Sequence, residues 1–222
     1  MKAESNIMTN TFENFIEDES NKFAFAACRA IIDKPAWEFN PLWLYGPSGC
    51  GKTHLLDSIA HEYESNKSKK ILYVSAELLI GSMVESYRSA LPQQNSFWAT
   101  AKKTDVLIVD NAEYLIGKPR TQEEIAILSA RRQKNNMLTI ISSCCPPKEL
   151  PVLEHIFRER LEESLIVDIQ FPSSELKQKY ADRFLIQSSA LISEDEKFLI
   201  IVEANSISQL DGLLRTACFL AK

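Results

Sequence analysis

The chain has 222 residues, 45% hydrophobic and 25% charged, with a net charge of −5. That leaves room for one full α/β core plus a small satellite domain and excludes a strongly basic nucleic-acid binder, though not a local basic groove. Its five cysteines (Cys28, Cys50, Cys144, Cys145, Cys218) are odd in number, and none has zinc-site spacing. With no apolar leader and no run of membrane length, this points to a cytoplasmic protein with reduced thiols and no membrane role.

In chain order, residues 1–10 are polar and expected to be loose. Helical spacing runs from Asn21 to Ile32. Leu42–Tyr45 is the first expected strand, followed by a glycine-rich loop and a helix over His54–Ser65. Lys70–Ser75 reads as a strand, Ala76–Ala90 as a helix, Asp105–Asp110 as a strand and Thr121–Lys134 as a helix. Leu138–Ser143 and Ser164–Phe171 are the last two strands. Apolar strands alternating with amphipathic helices imply a buried parallel sheet covered on both faces. After Pro172 the strand pattern stops. Ser174–Leu191, Ser193–Ala204 and Ser206–Leu220 read as helices, the last two opened by capping boxes, Ser193 with Glu196 and Ser206 with Gln209. The expected division is an α/β base over residues 11–172 and a helical lid over 173–222.

The segment Gly46-Pro47-Ser48-Gly49-Cys50-Gly51-Lys52-Thr53 fits the phosphate-loop pattern, follows an apolar strand and opens a helix. Its glycines let backbone N–H groups converge on an anion. Lys52 adds a point charge at the β/γ-phosphates, Thr53 a Mg²⁺ ligand, and the helix N-terminus its dipole. His54, next in the chain, is counted with the nucleotide-contacting residues. His61 and His155 read as ordinary helix residues. Val106–Val109 followed by Asp110 supplies the strand-end acid expected to hold the Mg²⁺ shell. ATP or ADP with Mg²⁺ is therefore the expected ligand.

Several segments together resemble the bacterial replication initiator DnaA family and its AAA+ relatives. They are Thr11–Phe15 (TFENF), Ser20–Ala27, Asn40–Leu56 (NPLWLYGPSGCGKTHLL), Thr121–Glu124, Pro146–Leu150 and Gln209–Leu214. The resemblance implies an AAA+ base with a five-stranded sheet, a small all-α lid, nucleotide between them, and ATP-dependent assembly with itself or related subunits. It puts Arg160 at the arginine finger that reaches a neighbour's γ-phosphate. It also puts Val84 and Arg120, with Lys118 beside it, where relatives grip single-stranded DNA. Read by pattern alone, Val84 is a core position, Lys118–Arg120 a solvated turn and Arg160 an exposed helix arginine.

Three positions depart from the family pattern. Asn111 stands where a second acid polarises the attacking water, and an amide cannot take that proton. Cys144 stands at the sensor before the paired prolines. Ser208 replaces the lid arginine aimed at the phosphates. An intact loop beside these changes suggests a nucleotide-binding DnaA-like protein, short like the Hda-type inactivators, with weak or no hydrolysis and a part in replication initiation. The alternatives are an active helicase loader of the DnaC type, or the AAA+ fragment of a full-length initiator. Without a helix-turn-helix segment, sequence-specific duplex binding is not expected, and the Met1 start suggests a short natural protein.

Overall fold

The computed structural model describes residues 10–33, 40–65, 69–88, 97–150, 155–188 and 192–220, without the side chains of 33, 86–88 and 160–162. Of the loose tail expected at 1–10, all but Asn10 lies outside the described residues.

Strands β1 (Leu42–Tyr45), β2 (Ile71–Ser75), β3 (Val106–Asp110), β4 (Leu138–Ser143) and β5 (Leu165–Asp168) form one parallel sheet in the order β2-β3-β4-β1-β5. Side chains alternate between the two faces, and both faces are covered. Leu42, Leu44, Val106, Ile108 and Ile140 pack with α1 (Lys22–Asp33) and α2 (Lys52–Ser65). Trp43, Leu107, Val109 and Ile141 pack on the other side with α3 (Ala76–Arg88), α4 (Phe97–Ala101), α5 (Pro119–Lys134) and α6 (His155–Glu162). This double covering is why each central strand reads as an unbroken apolar run.

The expected β1 and β4 agree with the structure residue for residue. Two helices start earlier than their periodicity suggests. α2 already includes Lys52 and Thr53, and α5 begins at Pro119, where a proline's missing N–H and fixed φ suit the first turn. Three short elements carry no readable period: α4, α6 and the 3-10 turn Ala112–Leu115. Tertiary packing holds them instead; Phe157 of α6, for example, meets Trp43 edge-on at 6.5 Å between ring centroids.

Arg132, in α5, is fully buried. Its guanidinium donates to the carbonyls of Ala101, Thr104, Asp105 and Leu138 and to Thr139 Oγ1. One side chain therefore ties α4, β3 and β4 to α5. Removing the guanidinium would cost roughly 1–3 kcal/mol for each buried acceptor left without another donor; the Asp105 carbonyl keeps the Leu138 N–H at 2.9 Å.

Helices α7 (Ser174–Ser188), α8 (Glu194–Glu203) and α9 (Ile207–Leu220) enclose their own cluster of Ala181, Ile201, Ala204, Leu210 and Leu214. Ser193 and Glu196 close a full capping box on α8. The box expected at Ser206 is only half formed. Its hydroxyl accepts the Gln209 N–H at 3.1 Å, but Gln209 Oε1 takes the N–H of Asn205 at 2.9 Å. The next two amides, of Ile207 and Ser208, donate at 3.1 and 3.3 Å to the carbonyl of Gly49, so the first turn of α9 docks on the phosphate loop.

Candidate functional site

The chain leaves β1 at Tyr45, turns through Gly46–Gly51 and enters α2 at Lys52. Three glycines make this turn possible at three different contacts. A methyl group on Gly46 would lie 2.2 Å from the Ile169 carbonyl. Gly49, at φ +72°, would carry its Cβ to 2.7 Å from Ser208 Cβ. Gly51, at φ +110°, would meet the Phe15 ring at 3.1 Å. Close approach fixes glycine at Gly46 and Gly49, and the left-handed backbone favours it at Gly51. Pro47, Ser48 and buried Cys50 complete the loop, and burial pushes the Cys50 thiol up. Lys52 is 7% exposed, and its ammonium donates to the carbonyls of Gly46 at 2.7 Å and Pro47 at 2.9 Å.

Opposite the loop, at the end of β3, Asp110 is 5% exposed. One carboxylate oxygen accepts hydrogen bonds from Thr53 Oγ1 and Tyr73 Oη, each at 3.1 Å. The other accepts from Ser142 Oγ and from the Asn111 N–H. Burial first, and then the Asp110 carboxylate, raise the Tyr73 phenol so that it stays a donor. The Asp110 carboxylate and the Thr53 hydroxyl are hard oxygen donors of the kind Mg²⁺ takes, with Tyr73 and Ser142 donating to the carboxylate beside them. Asn111 lies just beyond, in the left-handed conformation at φ 60°, ψ 49°.

Loop, entrance segment and lid together enclose a cleft of about 860 Å³. Its floor includes Ser48, Lys52, Thr53 and His54, and Asn111 also lines it. One wall is the segment from Asn10 to Ile16, held by Asn10 on Asp57 at 2.9 Å and by Phe15 stacked on Phe25. The other wall comes from α7 and α9 and includes Tyr180, Arg183, Ser208, Asp211 and Arg215. Arg183 bridges the two walls, donating to the Asn14 carbonyl at 2.7 Å. On the lid side Asp211 accepts from Tyr180 Oη at 2.7 Å and from Arg215 Nε at 2.6 Å.

His54 links floor and entrance. Its Nε2 lies 3.0 Å from the Thr11 carbonyl, and the Phe15 ring meets it edge-on at 5.1 Å. Burial lowers its pKa below the ordinary value of 6.5, outweighing the Thr11 bond. The folded chain therefore resists protonation at this ring more than the unfolded chain does. The stability that follows is complete above that ordinary value and is lost as pH falls through the depressed folded one. His54→Gln should accordingly flatten the acid side of the stability profile. Urea midpoints measured for both proteins between about pH 7.5 and pH 5 check this; parallel profiles would contradict it.

Of the remaining sequence candidates Ser208 lines the cleft and the others lie apart from it. Cys144 follows β4 directly and is exposed, with its N–H on Glu113 at 3.2 Å. Ser208 holds its N–H on the Gly49 carbonyl at 3.3 Å and brings no charge to the loop. Arg160 falls in α6, and its side chain lies outside the described residues. Val84 is 43% exposed on α3, which corrects the core assignment that pattern alone gives it. The local spacing resembles a core helix, but α3 buries the neighbouring face of Leu79 and Met83. Lys118 and Arg120 are exposed just after Gly117, which turns the chain at φ +70°. Leu115, before that turn, shares an apolar cluster with Leu79 and Met83 of α3, which brings the two elements side by side.

Sequence reasoning missed Tyr73, Ser142, Tyr180, Arg183, Asp211 and Arg215. The polar pair Ser142–Ser143 ending an apolar strand was a usable signal. A tyrosine in a strand and charged residues in amphipathic lid helices have none, because solvated helix faces look the same.

A sequence profile of the bacterial DnaA ATPase domain matches residues 7–168. The chromosomal replication initiator protein DnaA of Corynebacterium jeikeium is 39% identical over 215 residues, 95% of this chain and 36% of that protein. DnaA of Lachnoclostridium phytofermentans is 37% identical over 207 residues, 92% of this chain and 46% of that protein. The chain thus spans less than half the length of these relatives. Domain III of the Thermotoga maritima replication initiation protein DnaA superposes with a TM-score of 0.84 at 26% identity, covering 92% of this chain and 85% of that one. A replication initiator DnaA solved with AMPPCP and single-stranded DNA has the same fold, with a TM-score of 0.84 at 24% identity. With the loop, the Asp110 cluster and a helical lid closing one cleft, and with that match over most of its length, this chain belongs to the bacterial DnaA ATPase domain family.

Proposed function

We propose that this chain binds ATP or ADP with Mg²⁺ in the cleft between the base (residues 11–172) and the lid (173–222), and acts in replication initiation with weak or no hydrolysis of its own. The observation that carries this reading is that Lys52 and Thr53 line the cleft while Asp110 accepts a hydrogen bond from Thr53 behind them. Lys52 would turn from the loop carbonyls to the phosphates, and Gly46–Gly51 amides would cradle them. Thr53 and Asp110 would hold Mg²⁺, whose charge offsets that of the phosphates when bound. Tyr73 and Ser142 orient the Asp110 carboxylate by hydrogen bonds to its two oxygens. His54 and Phe15 fix the entrance segment against the floor.

Asn111, Cys144 and Ser208 cannot supply the base, the acidic sensor or the lid cation of an efficient hydrolase. We therefore read the chain as a nucleotide-dependent assembly partner of DnaA-type subunits, in the cytoplasm. Among the described residues no helix is long and apolar enough to cross a membrane. The DnaC-type loader is the competing reading, and robust phosphate release by the chain alone would favour it.

Arg160 provides the test of assembly, because a finger arginine acts only on a neighbour's nucleotide. The wild-type chain, mixed with the host's full-length initiator loaded with ATP, should co-sediment with it and change its turnover. Arg160→Ala should keep its own nucleotide affinity and lose that effect. Equal behaviour of the two chains would remove Arg160 from the mechanism.

Single-stranded DNA is proposed as a further ligand, on Val84, Lys118 and Arg120. Their exposure on adjoining elements supports this, although an acidic chain should bind weakly. Affinity should require ATP and fall as salt rises, since phosphate contacts release counterions. A salt titration of labelled single strands measures it. A flat response, or binding equal to that of Lys118→Ala/Arg120→Ala, would contradict the assignment, as would a sequence preference on duplex DNA.

A further inference from the structure

Cys144 and Cys145 stand where β4 runs out of the sheet, and their sulfurs are 3.9 Å apart. Of the five cysteines only these two are accessible: Cys144 is exposed and Cys145 half-buried, while Cys28, Cys50 and Cys218 are buried. Burial pushes the Cys28 thiol up to about 12, which leaves it inert. Both accessible thiols open onto a shallow second cleft of about 470 Å³, shared with Gly46 and Pro47 of the phosphate loop and with Glu149 and Asp168. A small molecule reaching the thiols therefore arrives beside the loop without entering the main cleft.

We propose that Cys144 and Cys145 form a thiol–disulfide exchange site, closed to a vicinal disulfide by a small disulfide of the glutathione class, and that closure weakens nucleotide binding in the adjoining cleft. The consequence for nucleotide rests on the function proposed above; the exchange chemistry does not.

The exposed Cys144, as thiolate, attacks one sulfur of oxidised glutathione and forms a mixed disulfide. The departing glutathione thiolate takes up a proton. Cys145, having given its proton to water, then attacks the Cys144 sulfur and expels the second glutathione, which is protonated in turn. Two protein thiols become one disulfide, and one glutathione disulfide becomes two thiols, so two electrons and two protons pass to glutathione. The order follows from accessibility: burial and the neighbouring Cys144 push the Cys145 thiol up to about 11, so it resolves rather than initiates.

Closing the bond requires the sulfurs to move from 3.9 Å to about 2.0 Å. The peptide between the two cysteines must shift, and it is anchored on both sides. The Cys144 N–H is held by Glu113, and the Cys145 carbonyl accepts from Ser143 Oγ at 2.5 Å. The preceding residues lead straight to the proposed nucleotide site. The Ser143 carbonyl accepts the Gly46 N–H at 3.2 Å, and Ser142 Oγ bonds the Asp110 carboxylate. A displaced Ser142–Ser143 pair therefore disturbs the first residue of the phosphate loop and the orientation of the Mg²⁺-holding acid together.

The test treats the purified full chain with oxidised glutathione, blocks remaining thiols by alkylation and maps the peptides by mass spectrometry. Wild type should lose two alkylatable thiols, both on the peptide bearing Cys144 and Cys145, which becomes lighter by two hydrogens and recovers on reduction. Cys145→Ser should instead trap glutathione on Cys144. Full alkylation of both thiols, or a glutathione adduct on wild type that never resolves, overturns the exchange site. In the second arm a fluorescent ATP analogue should bind the oxidised wild type at least about fivefold more weakly than the reduced, at the lower end of ordinary coupling between sites. Cys145→Ser without oxidant should bind like reduced wild type. A disulfide that forms without changing affinity overturns the coupling. A reduced wild type that binds no nucleotide contradicts the function proposed above, while the thiol mapping still decides the exchange chemistry.

Discussion

Lys52→Ala should lower nucleotide affinity by roughly 10- to 100-fold, the worth of a charge-assisted hydrogen-bonded contact at 1.5–3 kcal/mol. The side chain is almost wholly buried, and its ammonium is aimed along the loop, donating to the carbonyls of Gly46 and Pro47. An alanine there leaves the loop's glycine-built path intact but removes the one lysine or arginine in the loop itself. The neighbouring amides still provide a dipolar cradle, so binding should weaken rather than vanish. The buried Gly46 carbonyl and the half-buried Pro47 carbonyl lose their donor, which costs some stability, and the thermal midpoint must be followed beside the calorimetry to separate affinity from unfolding. A folded Lys52→Ala chain that binds ATP like wild type would remove the loop from the account.

The second large effect is in turnover. Wild type should release phosphate barely above the uncatalysed rate, and Asn111→Asp should raise that rate by about tenfold or more. A positioned general base contributes roughly 10²–10⁴ in full. Here Ser208 still leaves the phosphates without their lid cation, so only part should return. The substitution is close to isosteric. Asn111 holds the left-handed conformation at φ 60°, which aspartate also tolerates, so the backbone after Asp110 should not move. Asn111 lines the same cleft as Lys52 and Thr53. Adding Ser208→Arg to Asn111→Asp should raise turnover further, provided the longer side chain clears Gly49, which Ser208 Cβ already crowds. Steady-state phosphate release by the three proteins decides the matter. A wild type already as fast as the double variant would contradict the reading of these positions as degraded.

The parallel sheet and the phosphate loop were legible in the sequence because their physics is local. Four-residue apolar runs such as Leu42–Tyr45 need burial on both faces, and Gly46–Thr53 carries its backbone requirement in its own residues. The half-formed box at Ser206 was not legible. Its amides answer to Gly49, about 160 residues away in sequence, and no local pattern records a contact of that kind. Arg132 was hidden for a similar reason: a polar α5 suggests a solvated arginine, and only tertiary packing brings it acceptors from α4, the turn before β3 and β4. The cleft's walls were the least readable part. Arg183 of α7 reaches Asn14 in the segment before α1, and Asp211 gathers Tyr180 and Arg215 from two lid helices. Such groups become recognisable as a site only when the lid has closed over the loop.

The most direct measurement is a calorimetric titration of the wild-type chain with ATP, once with Mg²⁺ and once with the metal chelated. Lys52, Thr53 and Asp110 together predict a single saturable site whose affinity falls when Mg²⁺ is withdrawn. Asp110→Asn should bind nucleotide with that dependence on Mg²⁺ reduced. No saturable binding to the folded wild-type chain, or binding indifferent to both the metal and Asp110, would contradict the account.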